Sequence, residues 1–240
     1  LPVAAAGAGS VTMGLLGGTS LQVNVPKMGD MQPIYVVEGL GIAVAATVLG
    51  LIMVFIFPHI HRFFHGLKYP IVYITLGGVV LGVLGAIGGQ ITLFKGLEQM
   101  ATLVDDRQNY DFGQLTVITL VKAAALVVAA ASGFRGGRIF PAVFIGVAVG
   151  LMASALFPQI PLSLALAAGV LGLVLVVARD GWLALFVAVA VVGDVTLLGV
   201  MCVIILPIWL MVSRAPEMIV HPAPLPPEPA PAAAAAAAPA

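Results

Sequence analysis

Charge is scarce in this sequence. Ten basic and ten acidic side chains are spread over 240 residues, 8% of the chain, where an ordinary soluble domain carries about 25%. So few charges cannot cover the surface that a soluble fold of this size presents to water. The two signs cancel, so no net field draws nucleic acid or an acidic partner. Cysteine is nearly absent too. The single Cys202 excludes an internal disulfide framework, and in its apolar run it reads as a small core residue. No Ser/His/Asp or Cys/His grouping appears, which argues against an enzyme, and nothing in the sequence calls for a cofactor. The chain opens Leu1-Pro2-Val3 with no basic stretch ahead of a cleavage site, so a signal peptide is not read there. The expectation is a fragment, or a processed chain, that starts inside a transmembrane segment.

What the sequence has is apolar length, with 61% of its residues hydrophobic. Apolar stretches run from Leu1 to Leu16, Ile34 to Pro58, Tyr69 to Ile87, Leu115 to Ala131, Ile139 to Phe157 and Leu162 to Ala178. A last one, Trp182 to Val212, holds Asp194 and is read as two short helices. A spanning helix needs about 20 apolar residues, so several of these are too short to cross alone. The predicted fold is all-α: a polytopic membrane helical bundle with short, broken and tilted helices. Lipid offers no partner to the unpaired backbone groups of a helix end, so a helix that stops inside the bilayer must border a cavity. Residues 1–213 are predicted to form this transmembrane domain. From His221 the composition turns to Pro and Ala, and residues 214–240 are predicted to be a disordered tail.

Charges gather between the apolar stretches, at Lys27 with Asp30, Arg62 with Lys68, and Lys95, Glu98, Asp105, Asp106, Arg107 and Asp111. The last group reads as a solvated polar loop. Gly146 with Gly150, Gly78 with Gly82 and Gly85 with Gly89 are spaced as GxxxG pairs, a pattern that lets helix backbones approach closely in lipid.

The segment with chemistry in it is Ser132-Gly133-Phe134-Arg135-Gly136-Gly137-Arg138-Ile139-Phe140-Pro141, followed by an apolar run. Glycines let a ligand approach the main chain, and Pro141 suits the first turn of a helix, where its missing N–H costs nothing. The run reads as a glycine-rich turn that delivers free N–H groups at a helix N-terminus. Such an end carries about half a positive charge and attracts anions. Broken helices aimed at a central site recur in transporters, and Arg135 and Arg138 add charge at a depth where arginine is costly. The competing reading is a loop at the lipid–water interface with two arginines meeting headgroups.

SGFRGGRIFPAVFIG, residues 132–146, resembles the signature of the CLC chloride channels and transporters, which places Gly-Gly, three residues and then Pro at the start of a membrane helix. The order of apolar segments over roughly residues 1–213 resembles that family's C-terminal half. The Arg179-Asp180-Gly181-Trp182 turn and the GFRGGRIFP wording look most like a divergent bacterial branch of ion-transport proteins. The resemblance implies transport of chloride or another small halide, as a channel or an ion-coupled transporter, in the bacterial inner membrane. It also implies a homodimer in contact with lipid, with Leu1–Leu16, Ile34–Leu51 and Trp182–Val212 at the subunit contact. It assigns the anion site to the amides of Arg138, Ile139 and Phe140 within the Gly136, Gly137 to Pro141 turn. The sequence departs from the pattern at Arg138, at Ile139, at Ala190 in place of an acidic residue, and after Val212, where the family's tyrosine is missing. A non-conducting membrane scaffold or ion sensor on the same fold is the alternative.

Other residues carry less. Lys122, inside an apolar run, either snorkels or adds positive field beside the anion, as Arg135 would. His59, His61 and His65 lie close together, but a fourth metal ligand is missing and Arg62 opposes a cation, so no metal site is predicted. Glu38 reads as interfacial or as a buried proton carrier. Asp194 is expected to cap the second short helix, and Arg179 with Asp180 reads as a turn with an ion pair.

Overall fold

The computed structural model describes residues 8–9, 11–12, 15, 21–29, 31–67, 69–94, 96–134 and 136–218. Of the predicted Leu1–Leu16 helix, the five described residues are helical. Arg135 and residues 219–240 of the predicted tail lie outside the described residues, whereas residues 214–218 of it are described and Met218 is buried. The helices are α1 (Ile34–His65), α2 (Pro70–Gly88), α3 (Leu97–Asp105), α4 (Phe112–Ala131), α5 (Ile139–Leu156), α6 (Leu162–Ala178), α7 (Gly181–Val192) and α8 (Leu197–Ser213). No strand occurs among the described residues. Helices α1, α2, α4 and α5 are long and apolar enough to cross a membrane, whereas α6, α7 and α8 are shorter. This is the predicted all-α membrane bundle of long and short helices.

Two boundaries differ from expectation. Helix α1 does not stop at Pro58 but continues to His65. Proline removes one internal hydrogen bond, and burial of Phe57 and Phe64 on either side of it carries the helix through. The supposed solvated loop before Leu115 contains α3, whose Met100, Leu103 and Val104 are buried. Those three positions share one helix face, a stripe that the surrounding charges conceal in the sequence.

Helix α6 is the centre of the bundle. Every residue from Ser163 to Val177 is buried, and α1, α5, α7 and α8 pack around it. The closest approach is at glycine. A Cβ on Gly146 of α5 would lie 2.6 Å from the Val170 Cα, and one on Gly150 would lie 2.6 Å from the Ala165 carbonyl oxygen. On the facing helix a Cβ at Gly169 would strike the Gly146 carbonyl. Gly78 and Gly82 are spelled the same way but meet no helix, and a Cβ on Gly82 has nothing within 4 Å. Their helix, α2, is peripheral, with 6% of its apolar window buried.

Helix α4 starts on a complete capping box. The Gln114 amide donates to Asp111 Oδ1 at 2.7 Å, and the Asp111 amide donates to Gln114 Oε1 at 3.0 Å. Asp111→Ala is expected to cost about 1 kcal/mol, read as a lowered unfolding midpoint of the detergent-solubilised protein.

Asp194 does not cap the second short helix, whose N-cap is Thr196 and which has no side-chain capping bond. Its Oδ1 accepts instead from the Thr196 amide at 3.1 Å and hydroxyl at 2.6 Å, in the turn before that helix. Its Oδ2 accepts from the Met28 amide at 2.7 Å. With the Val23 amide donating to the Val191 carbonyl at 2.8 Å, residues 21–29 are tied to the α7–α8 turn. The expected Arg179–Asp180 ion pair is replaced by two separate contacts. Asp180 caps α7 through the Leu183 amide at 2.9 Å. Arg179, in the left-handed region at φ 56°, donates to the carbonyls of Val212, Ala215 and Pro216. Cys202 is exposed and not a core residue, because α8 turns that side outward beside Trp182 and Trp209.

Candidate functional site

The glycine-rich turn begins where α4 ends. Ser132 Oγ folds back to donate to the Val128 carbonyl at 2.7 Å. Gly133 then takes φ 82°, a left-handed conformation that glycine reaches without strain. The Phe134 amide closes the turn on the Ala129 carbonyl at 3.2 Å, in the manner of a glycine-terminated helix end. The chain runs on through Gly136 and Gly137 to α5, whose first internal bond runs from the Ala142 amide to the Arg138 carbonyl at 3.2 Å. Pro141 occupies the third helical position, where it has no N–H to satisfy.

Among the described residues, no backbone carbonyl accepts from the amides of residues 136–140. Among the described residues, these main-chain donors have no backbone acceptor at the positive end of an 18-residue helix. A Cβ on Gly136 or Gly137 would meet nothing within 4 Å. The space in front of them is a cavity of about 640 Å³, lined by Gly136, Gly137, Arg138, Pro141 and Lys122. The opposite wall is the turn from Thr92 to Phe94, between α2 and α3. Among the described residues, no Asp or Glu lines it. The turn thus faces a protein-lined space.

The predicted site residues divide within this arrangement. Gly136, Gly137, Arg138 and Pro141 line the cavity together with Lys122. Ile139 packs against the core and Phe140 is 43% exposed, and neither is among the residues that line the cavity. Arg135 lies outside the described residues. The Arg138 guanidinium donates to the Met218 carbonyl, which leads the segment after α8 back to the cavity, where Met218 is buried and lines the wall. Lys122 does not snorkel. It is 3% exposed, and its Nζ donates to the carbonyls of Thr92 at 2.8 Å, Leu93 at 3.1 Å and Phe94 at 2.9 Å.

The remaining candidates stand apart from the cavity. His61 and His65 stack with ring centroids 3.9 Å apart, and His65 stacks on Tyr73 at 4.9 Å. Among the described residues no group of three His, Cys, Asp or Glu is placed to hold a metal ion. Glu38 is partly buried, and its Oε2 has no hydrogen-bond partner. Sequence reasoning missed the Thr92–Phe94 wall and Met218. The Gly88-Gly89 pair, with Gly89 at φ 73°, was the one signal that the chain breaks there at membrane depth.

A polytopic helical membrane protein with free helix-terminal amides at a protein-lined cavity is the class that fold and site define. Residues 1–211 match the family of voltage gated chloride channels, and the chain belongs to that family. It is 43% identical over 220 residues to the "Putative ion-transport protein YfeO" of Escherichia coli (strain K12 / DH10B) and, to the same extent, to that of Escherichia coli (strain 55989 / EAEC). These alignments take in 92% of this chain and 52% of each relative. The chain therefore spans about half the length of the curated relatives it matches.

Proposed function

We propose that this chain supplies one wall of a pathway that moves chloride or another small halide across a bacterial inner membrane. The observation that carries the reading is the cavity in front of Gly136 and Gly137. Its donors are main-chain amides at a helix N-terminus, and among the described residues no carboxylate lines it. Backbone N–H groups hold an anion without a fixed countercharge, so the ion can be bound and released. The open space before Gly137 makes the site testable by addition. Gly137→Ala should leave stability within about 0.5 kcal/mol, since nothing stands where the methyl would go. The same methyl intrudes on the anion's approach and should lower halide flux.

The test is chloride and bromide efflux from liposomes holding the purified full-length protein. Flux that falls in Gly137→Ala supports the proposal; no movement of any halide by the wild type rejects transport. Halide binding by calorimetry without flux would favour the second reading, a non-conducting scaffold or sensor. The burial of Met218 in the cavity wall, where the family's tyrosine is missing, is the observation on that side. A homodimer through α7 and α8 accords with the exposure of Trp182, Leu206 and Leu210 there.

A further inference from the structure

Carbonyl oxygens along a cavity wall suit cations; potassium-selective filters are built from them. The wall opposite the free amides consists of three consecutive residues, Thr92, Leu93 and Phe94, all lining the cavity. Each of their carbonyls is engaged by one group, the Lys122 ammonium, at 2.8, 3.1 and 2.9 Å. An ammonium has three N–H donors and a neutral amine only two, so three acceptors at these distances call for the charged form. The Phe144 ring, with its centroid 5.0 Å from Nζ, holds the cation from another side.

We propose that Lys122 is a charge-selectivity determinant of the pathway, which masks the three wall carbonyls and leaves the cavity receptive to anions alone. The inference rests on the proposed anion transport and deepens it. Lys122 acts as a positioning and electrostatic residue and not as an anion ligand, because all three of its donors are committed to carbonyls. Arg138, the other cation of the wall, is likewise turned to a carbonyl, that of Met218. Among the described residues, two positive charges therefore bias the cavity without forming a direct ion pair that would trap the anion. A residue needed only to satisfy the turn would not have to bring a charge to this depth, where ionised groups are costly. Without the ammonium, three oxygens on one wall would turn toward the permeating ion and repel it.

The experiment is the reversal potential of full-length protein in planar bilayers or liposomes under a potassium chloride gradient. Wild type is expected to select chloride over potassium. Lys122→Met should lower the chloride-to-potassium permeability ratio by about tenfold or more. Lys122→Arg, which keeps charge and donors, should hold it within about twofold. Lys122→Gln, which keeps an amide donor and loses the charge, should fall with Met, and it carries the test if Lys122→Met does not reach the membrane. A neutral variant that conducts chloride at the wild-type ratio overturns the assignment of Lys122 and leaves anion transport standing. Wild-type protein that passes no anion overturns the transport reading itself, and this inference with it.

Discussion

Gly146→Leu is expected to destroy the folded bundle. A Cβ at this position already lies 2.6 Å from the Val170 Cα and 2.8 Å from the Gly169 carbonyl oxygen, and the branched chain beyond it has nowhere to go. Overpacking usually costs about 1–3 kcal/mol when neighbouring side chains can shift. Here the neighbours are backbone atoms of the fully buried α6, so the cost belongs at or above the upper end, about 3 kcal/mol. The measurement is the unfolding midpoint and the yield of monodisperse protein in detergent, with Gly82→Leu as the comparison. Gly82 has the same GxxxG spelling but open space around it, and its substitution should stay within about 0.5 kcal/mol. Equal losses at both positions would show that the α5–α6 crossing is not the point of closest contact. Because α5 carries the free amides on its first turn, any variant that pries it from α6 should lose halide binding as well.

Asp194→Ala is the second large loss. The carboxylate is 2% exposed and serves three donors, the Met28 amide and both the amide and the hydroxyl of Thr196. Hydrogen bonds to an ionised group are worth about 1.5–3 kcal/mol each, and buried donors left without an acceptor add their own cost. The contributions overlap, and about 3 kcal/mol is the expected total. Asp194→Asn should lose less, since its carbonyl oxygen can still serve Thr196 while its NH2 faces the Met28 amide. Limited proteolysis separates the two parts of the effect. Cleavage within residues 21–29 should rise in both variants, and loosening of the α8 N-terminus should be confined to Asp194→Ala. Unchanged protease resistance would mean that the Met28 bond does not hold the segment in place.

The glycine-rich turn was legible because its constraints are local. Gly133 needs a left-handed φ, Gly136 and Gly137 leave space, and Pro141 fixes a helix start; each property belongs to a single residue type. The role of Lys122 was not legible, since its acceptors lie about thirty positions upstream and only the folded topology brings them to it. The same holds for Asp194, which bonds Thr196 in the turn and Met28 across 166 positions, and neither contact is the helix cap that its place between two short helices suggested. GxxxG spelling could not separate Gly146 from Gly82, because the difference is the presence of a facing helix and not the sequence of their own. The apolar stretch ends at Pro58, but the helix does not, because the burial of Phe57 and Phe64 outweighs the single lost backbone bond. Family membership followed from wording that spans only 15 residues, and the whole-chain match to residue 211 places the rest of the bundle with it.

The 32 residues of α1 form a rod of about 48 Å at 1.5 Å per residue, against a hydrocarbon layer of about 30 Å. The rod must lean by about 50° or push its surplus into the headgroups, and the balance changes with lipid chain length. Phe57, three-quarters of the way along that rod, is part of the cavity wall. Bilayer thickness thereby becomes a mechanical input to the cavity proposed to hold the anion.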